Sequence, residues 1–210
     1  MKVIPELVEA LVAGDREACI RAVKKALEPE GDYELILRSL AEGMDIVGSK
    51  YESGEYFIPE MLRSARAANA VMEQLRASMN GRGERVRAGT VVIGTVSGDI
   101  HDVGKNLLVT FLRASGYTVH DLGVDVPAER FVQEVEEKQA DFLLMSALTT
   151  ATRYAMKEVI ALLEERGLRS RVKVLVGGVS VNEKFARELG ADGYAKDVRS
   201  TISLLRKLSE

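Results

Sequence analysis

A single cysteine, Cys19, is all that 210 residues contain. No internal disulfide can staple the fold, and Cys19 falls where a helical pattern buries it as core filler. A basic field is missing too: 29 lysines and arginines against 32 acidic residues leave a net charge of -3 and a pI near 5.6. The few aromatics, 6 Tyr and 5 Phe, are not interleaved with Lys and Arg, so a nucleic-acid partner is not expected. No stretch approaches the ~18 uninterrupted apolar residues of a membrane span. The start, Met1-Lys2-Val3-Ile4-Pro5-Glu6, has neither an apolar signal core nor a small-residue cleavage site, so a cytoplasmic location is expected.

What is present is an ordinary globular balance, 46% apolar and 29% charged, with enough length for a small module joined to a medium one. From Ile4 to Met79 the apolar residues recur at three and four, as in Leu37, Leu40, Met44 and Val47, or Met61, Leu62, Ala65 and Ala68. The pattern predicts helices near 3–12, 15–28, 32–53 and 59–79. Asp15 and Pro59 act as start signals, and Gly14, Gly31 and Gly54 as breaks. Such lengths suit an all-α four-helix bundle over 1–80. The polar, Gly-containing stretch from Asn80 to Arg85 marks a linker, placed at 81–87.

From 88 to 210 short β-branched runs alternate with helical patterns. Strands are expected at Thr90–Val96, Tyr117–Leu122, Phe142–Leu148, Val172–Val176 and Gly193–Ala195. Five β/α repeats with near-continuously apolar strands imply a parallel sheet covered on both faces. The expected architecture is a Rossmann-like, flavodoxin-like sheet of order 2-1-3-4-5, which puts a ligand crevice at the carboxyl ends of strands 1 and 3.

Just past strand 1 lies Ser97-Gly98-Asp99-Ile100-His101-Asp102-Val103-Gly104-Lys105-Asn106. Asp99 is close enough in the chain to accept the Nδ1 proton of His101, which would free Nε2 for a metal. Gly104 opens the next helix and lets a large ligand approach the backbone. A Walker A phosphate loop is excluded, because the spacing between Gly98 and Gly104-Lys105 is one residue too long and Asn106 stands where Ser or Thr is required. No Gly-x-Gly-x-x-Gly follows strand 1, so a dinucleotide fold of that kind is excluded as well. A receiver-like phosphoacceptor would need paired acids where this histidine loop stands.

Asp99-x-His101-x-x-Gly104, followed by Ser146-x-Leu148 and then Gly177-Gly178, is similar to the signature of cobalamin-binding domains in methionine synthase, the adenosylcobalamin mutases and corrinoid methyl carriers. The resemblance covers the whole Rossmann-like half. It implies a cobamide whose lower base leaves cobalt and is replaced by His101 as axial ligand. The residues from Gly98 through Ile100, Asp102 and Val103 to Gly104 would lie against it, and the nucleotide tail would thread a slot beside the sheet. Ser146 would bond the lower base and Leu148 wall it. Gly177 and Gly178 would leave room for the tail, with an ordinary strand-to-helix turn as their competing explanation. Tyr194 would border the slot, or serve as a plain core aromatic. In methionine synthase a serine extends the histidine-carboxylate pair. The matching position here is Thr152, which keeps the hydroxyl and adds a methyl.

The segment from Gly48 to Pro59 resembles the helical cap of methionine synthase, where Tyr51 and Ile58 match residues shielding the methyl-bearing face of the corrin. Without that resemblance Tyr51, Phe57 and Ile58 would be core residues of a bundle. A cap plus a cobamide domain, with no substrate barrel, looks like the detached carrier of three-component systems. The resemblance therefore implies a methyl carrier that is not a complete enzyme, partnered by a methyl-donor-specific methyltransferase, a methyl-acceptor methyltransferase and a reductive activase. The alternatives are a cobamide-binding subunit of a radical mutase and a B12-dependent sensor or regulator. The first is disfavoured because a cap would obstruct an adenosyl group, the second because a DNA-binding module is missing. His120 has no matching role.

Overall fold

The computed structural model describes residues 2–27, 32–79 and 88–209. The expected break at Gly31 and the linker at 81–87 lie outside the described residues. The chain divides into two compact units, the first carrying four helices and the second the sheet.

In the first unit α1 spans Pro5–Ala13, α2 Arg16–Ala26, α3 Tyr33–Glu52 and α4 Ile58–Met79. Asp15 starts α2 as expected, its Oδ1 accepting the Ala18 N–H at 2.9 Å, and Asp32 does the same for α3 through Leu35 N–H at 2.8 Å. Gly14 closes α1 at φ 70°, where a Cβ would lie 2.9 Å from that of Arg63. The apolar stripes meet inside: Leu7, Leu11, Cys19, Val23, Ile36, Leu40, Val47, Ala65, Val71 and Leu75 are buried. Each large side chain among them is worth about 1.5–3 kcal/mol of transfer free energy. Burial also pushes the Cys19 thiol up to about 11, with the neighbouring Asp15 charge adding to the rise.

The bundle core does not claim every apolar residue of this unit. Tyr51, Phe57 and Ile58 are all exposed. Their neighbour Tyr56 turns inward and donates its hydroxyl to the Val12 carbonyl at 2.9 Å. The core reading of the three is thereby corrected: Tyr51 lies in the last turn of α3, Phe57 in the α3–α4 connection and Ile58 at the start of α4, all outside the buried stripes.

The second unit runs β1 (Thr90–Thr95), α5 (Val103–Ala114), β2 (Thr118–Asp121), α6 (Ala128–Lys138), β3 (Phe142–Ser146), a single 3-10 turn (Thr152–Tyr154), α7 (Ala155–Glu165), β4 (Lys173–Gly177), α8 (Glu183–Leu189), β5 (Gly193–Ala195) and α9 (Val198–Leu208). All pairings are parallel and the order is 2-1-3-4-5, as expected. Three strands are shorter than their apolar runs. Val96 makes only an isolated bridge to Val126, and Ala147 and Leu148 leave β3 to enter a loop.

Val92, Leu143, Met145, Val174 and Val176 share one cluster with Phe131, Val135, Met156, Ile160, Leu163 and Phe185 of α6, α7 and α8. The alternate positions Val91, Ile93, Phe142, Leu144 and Leu175 point the opposite way and are equally buried. On that side α9 approaches so closely that a Cβ on Gly193 would meet Leu204 Cδ2. With both faces covered, ligand access is left at the carboxyl edge.

Candidate cofactor site

The register sets the site. Thr95 pairs with Ser146 and Ser146 with Gly177, so the loops after β1, β3 and β4 leave the sheet side by side. Asp99 turns inward from the first of them and is 1% exposed.

Every oxygen of its carboxylate is used. Oδ1 accepts the His101 backbone N–H at 3.1 Å and faces His101 Nδ1 at 2.7 Å. Oδ2 accepts Leu148 N–H at 2.7 Å, the Thr152 hydroxyl at 2.6 Å and, at 3.4 Å, Thr149 N–H. Burial would raise the pKa of Asp99, but the bonds from Thr152, Leu148 and His101 outweigh it and hold the carboxyl well below the usual carboxylate range. An ionised Asp99 can only accept, so Nδ1 of His101 carries the proton and, in the neutral ring, the lone pair sits on Nε2. The same logic orders the hydroxyls. Thr152 donates to Asp99, so Thr149 Oγ1, 2.8 Å from Thr152 Oγ1, donates to Thr152.

The His101 side chain is half exposed, and its backbone carbonyl is fixed by the Thr95 hydroxyl at 2.9 Å. Several large apolar side chains are exposed in the loops at this edge, where exposed side chains are ordinarily polar. The second unit's exposed large hydrophobics are Ile100 and Val103 after β1, Val124 after β2, Leu148 and Tyr154 after β3, and Val179 after β4. All follow strand carboxyl ends, and Val103 and Val179 reach 81% and 84% exposure. Exposed apolar side chains gathered at one edge mark a candidate ligand surface.

The glycines separate into two kinds. Gly104 lies in the first turn of α5 with open space where a Cβ would be, so nothing in the fold demands glycine there. Gly177 and Gly178 answer to the backbone: a Cβ on Gly177 would meet the Ala195 carbonyl at 2.5 Å, and one on Gly178, at φ 108°, the Ala147 carbonyl at 2.1 Å. Close packing of strand ends suffices to explain them.

The remaining expected residues sit as follows. Ser146 ends β3, half-buried, and its carbonyl accepts Val96 N–H at 3.1 Å. Tyr194 is half-buried in β5 and packs on the main cluster, as a core aromatic would. Gly98 turns the loop at φ 79°. Asp102 accepts Asn106 Nδ2–H at 2.9 Å. Lys105 is buried, its ammonium on Asp121 at 2.6 Å and on Asn106 at 2.7 Å, and so is withheld from any phosphate. His120 is half-buried in β2. Sequence reasoning missed Thr149 and the backbone N–H of Leu148. The run Thr149-Thr150-Ala151-Thr152 showed hydroxyls but not which one closes on Asp99.

Among the described residues no cluster of three or more His, Cys, Asp or Glu could hold a metal ion. A metal at His101 must bring its own equatorial ligands, which a corrin ring does. One imidazole with a free Nε2, an apolar rim and an empty space over Gly104 fit such a group. The fold and site thus fit a class: parallel α/β modules that bind a large planar cofactor at the carboxyl edge of the sheet.

Known proteins are similar to this chain along its length. Residues 89–203 match a B12 binding domain family, and residues 3–76 a second B12 binding domain family. Dimethylamine corrinoid protein 2 of Methanosarcina acetivorans is 39% identical over 99% of this chain and 96% of its own length. A crystal structure of a cobalamin-binding protein from Desulfitobacterium hafniense aligns with a TM-score of 0.83 at 30% identity, over 99% of both chains. The methanol:cobalamin methyltransferase complex of Methanosarcina barkeri contains a chain that aligns with a TM-score of 0.80 at 33% identity, over 98% of this chain and 77% of that one. The chain belongs to the B12-binding corrinoid proteins.

Proposed function

We propose that the protein is the methyl carrier of a corrinoid-dependent methyltransferase system, holding a cobamide with its lower base displaced and His101 Nε2 as the axial ligand of cobalt. The observation that carries the reading is the Asp99–His101 pair. A buried, ionised carboxylate at 2.7 Å commits Nδ1 to donation and leaves the lone pair on Nε2 of a half-exposed ring. When bound, the cobamide supplies a cobalt centre that takes up and gives up a methyl group.

The chain's own residues do the rest. Thr149 and Thr152 hold Asp99, and Asp99 holds the ring. Ile100, Val103, Leu148 and Val179 offer apolar surface to the macrocycle, and Gly104 leaves room for it. Tyr51 and Ile58, exposed on a helical unit that itself matches a B12 binding domain family, shield the methyl-bearing face. Ser146 contacts the lower base, and Tyr194 borders the tail slot. Likeness along nearly the whole of a dimethylamine corrinoid protein, and over 77% of a chain from a methanol:cobalamin methyltransferase complex, supports a carrier that receives the methyl group from one methyltransferase and yields it to another. A reductive activase would be a further partner of such a carrier.

Electron paramagnetic resonance of the Co(II) protein, grown with and without 15N-histidine, tests the assignment. The axial nitrogen splitting is expected to change with the label. A splitting insensitive to it refutes ligation by His101.

A further inference from the structure

Asp99 is gripped by its carboxylate from the β3 side, and the backbone around it is gripped from the β2 side by a residue outside that cluster. Asp125, in the loop after β2, has φ 53°, in the left-handed region that side chains disfavour. Gln139 shares that region, but there it is the ordinary closure of α6. Asp125 closes no helix. From this conformation its Oδ1 accepts the Gly98 N–H at 2.7 Å, and its own N–H donates to the Asp99 carbonyl at 2.9 Å. The two bonds run in opposite directions and clasp residues 98 and 99 between them. Val126 then anchors the clasp to the sheet, its N–H donating to the Thr95 carbonyl at 3.0 Å.

We infer that Asp125 is a positioning residue for the cofactor: its carboxylate sets the backbone at Gly98, so that Asp99 enters the interior and His101 stands at a fixed angle. The consequence for cobalt rests on the proposed ligation by His101; the clasp on the loop does not. The Gly98 N–H is at an exposed position where water can replace a lost acceptor, so the bond contributes orientation more than stability. Aspartate occupies a backbone conformation that glycine would fit better.

That contrast supplies the test. Asp125→Gly removes the acceptor while relieving the left-handed conformation, so its melting temperature should equal or exceed the parent's. Asp125→Asn keeps both an acceptor oxygen and tolerance of that conformation. In the cofactor-free protein, exchange of the Gly98 amide should accelerate roughly tenfold in Asp125→Gly and the His101 Nδ1–H resonance should broaden, with Asp125→Asn close to the parent. In the cobalamin-loaded Co(II) protein, the fraction of spins split by histidine nitrogen should fall by about half or more in Asp125→Gly and recover in Asp125→Asn. Unchanged Gly98 exchange and His101 resonance in Asp125→Gly overturn the clasp. A full histidine splitting in Asp125→Gly overturns its bearing on the ligand. If the parent itself shows no histidine splitting, the ligation reading and its dependent clause fall, while the cofactor-free measurements still decide the clasp.

Discussion

Replacing Asp99 by Asn changes one oxygen into an amino group, and the structure shows where the mismatch must fall. On the Oδ1 side two donors arrive from the same residue, the backbone N–H and Nδ1–H of His101. On the Oδ2 side the Thr152 hydroxyl can rotate and accept, but the Leu148 N–H at 2.7 Å cannot. The amide therefore turns its oxygen to His101 and sets its NH2 against Leu148. A buried N–H left unpaired costs about 1–3 kcal/mol, and the bonds that remain drop from charge-assisted to neutral strength, roughly another 1 kcal/mol each. Relief from burying a charge offsets part of this. The expected net loss is about 2–4 kcal/mol, read as a lower midpoint at unchanged slope in the urea transition of the sheet unit of the cofactor-free protein, with Leu148 amide exchange accelerated most. A loss under about 1 kcal/mol, or an unaltered Leu148 amide, refutes the account of Asp99 as the buried hub.

The glycines should part company. Gly104→Ala is expected to stabilise the cofactor-free protein by about 0.5–1 kcal/mol, yet weaken cobamide binding in equilibrium titration. Gly178→Ala, which drives a Cβ into the Ala147 carbonyl, should lower the melting temperature by 10 °C or more, on the order of 3 kcal/mol, with or without cofactor. The thiol of Cys19 titrates near 11 in the folded protein and near 9 when exposed, so its contribution of about 2–3 kcal/mol is intact below pH 9 and lost as the pH rises toward 11. Cys19→Ala should flatten that alkaline loss in urea titrations of the helical unit. Tyr51→Ala and Ile58→Ala, both at exposed positions, should leave melting temperature and cobamide content near the parent's while photolysis of added methylcobalamin in the complex speeds up severalfold. Equal photolysis rates would remove them from the shield.

Local chemistry in the sequence was enough for the helices, the alternation of strands and helices, and the pairing of Asp99 with His101. Those features depend on periods of two or 3.6 residues, or on neighbours in one loop. Asp15 starting α2 and the 2-1-3-4-5 order fall in the same class, because propensity, patterning and crossover rules agree there. What the sequence could not decide is what crosses between loops. Thr152 lies 53 residues from Asp99 and Leu148 lies 49, and they meet because Thr95 and Ser146 share a register position. Asp125 reaches Gly98 over 27 residues by the same route, through β2 beside β1. Gly177 and Gly178 read in sequence as space for a ligand tail, and only the approach of β5 and of Ala147 showed that backbone already fills the place of their missing side chains. Tyr51, Phe57 and Ile58 had the right character for a bundle core, and only the tertiary structure left them in water. A core takes the residues its helices aim inward, and these three, at the end of α3, in the connection and at the start of α4, are left exposed.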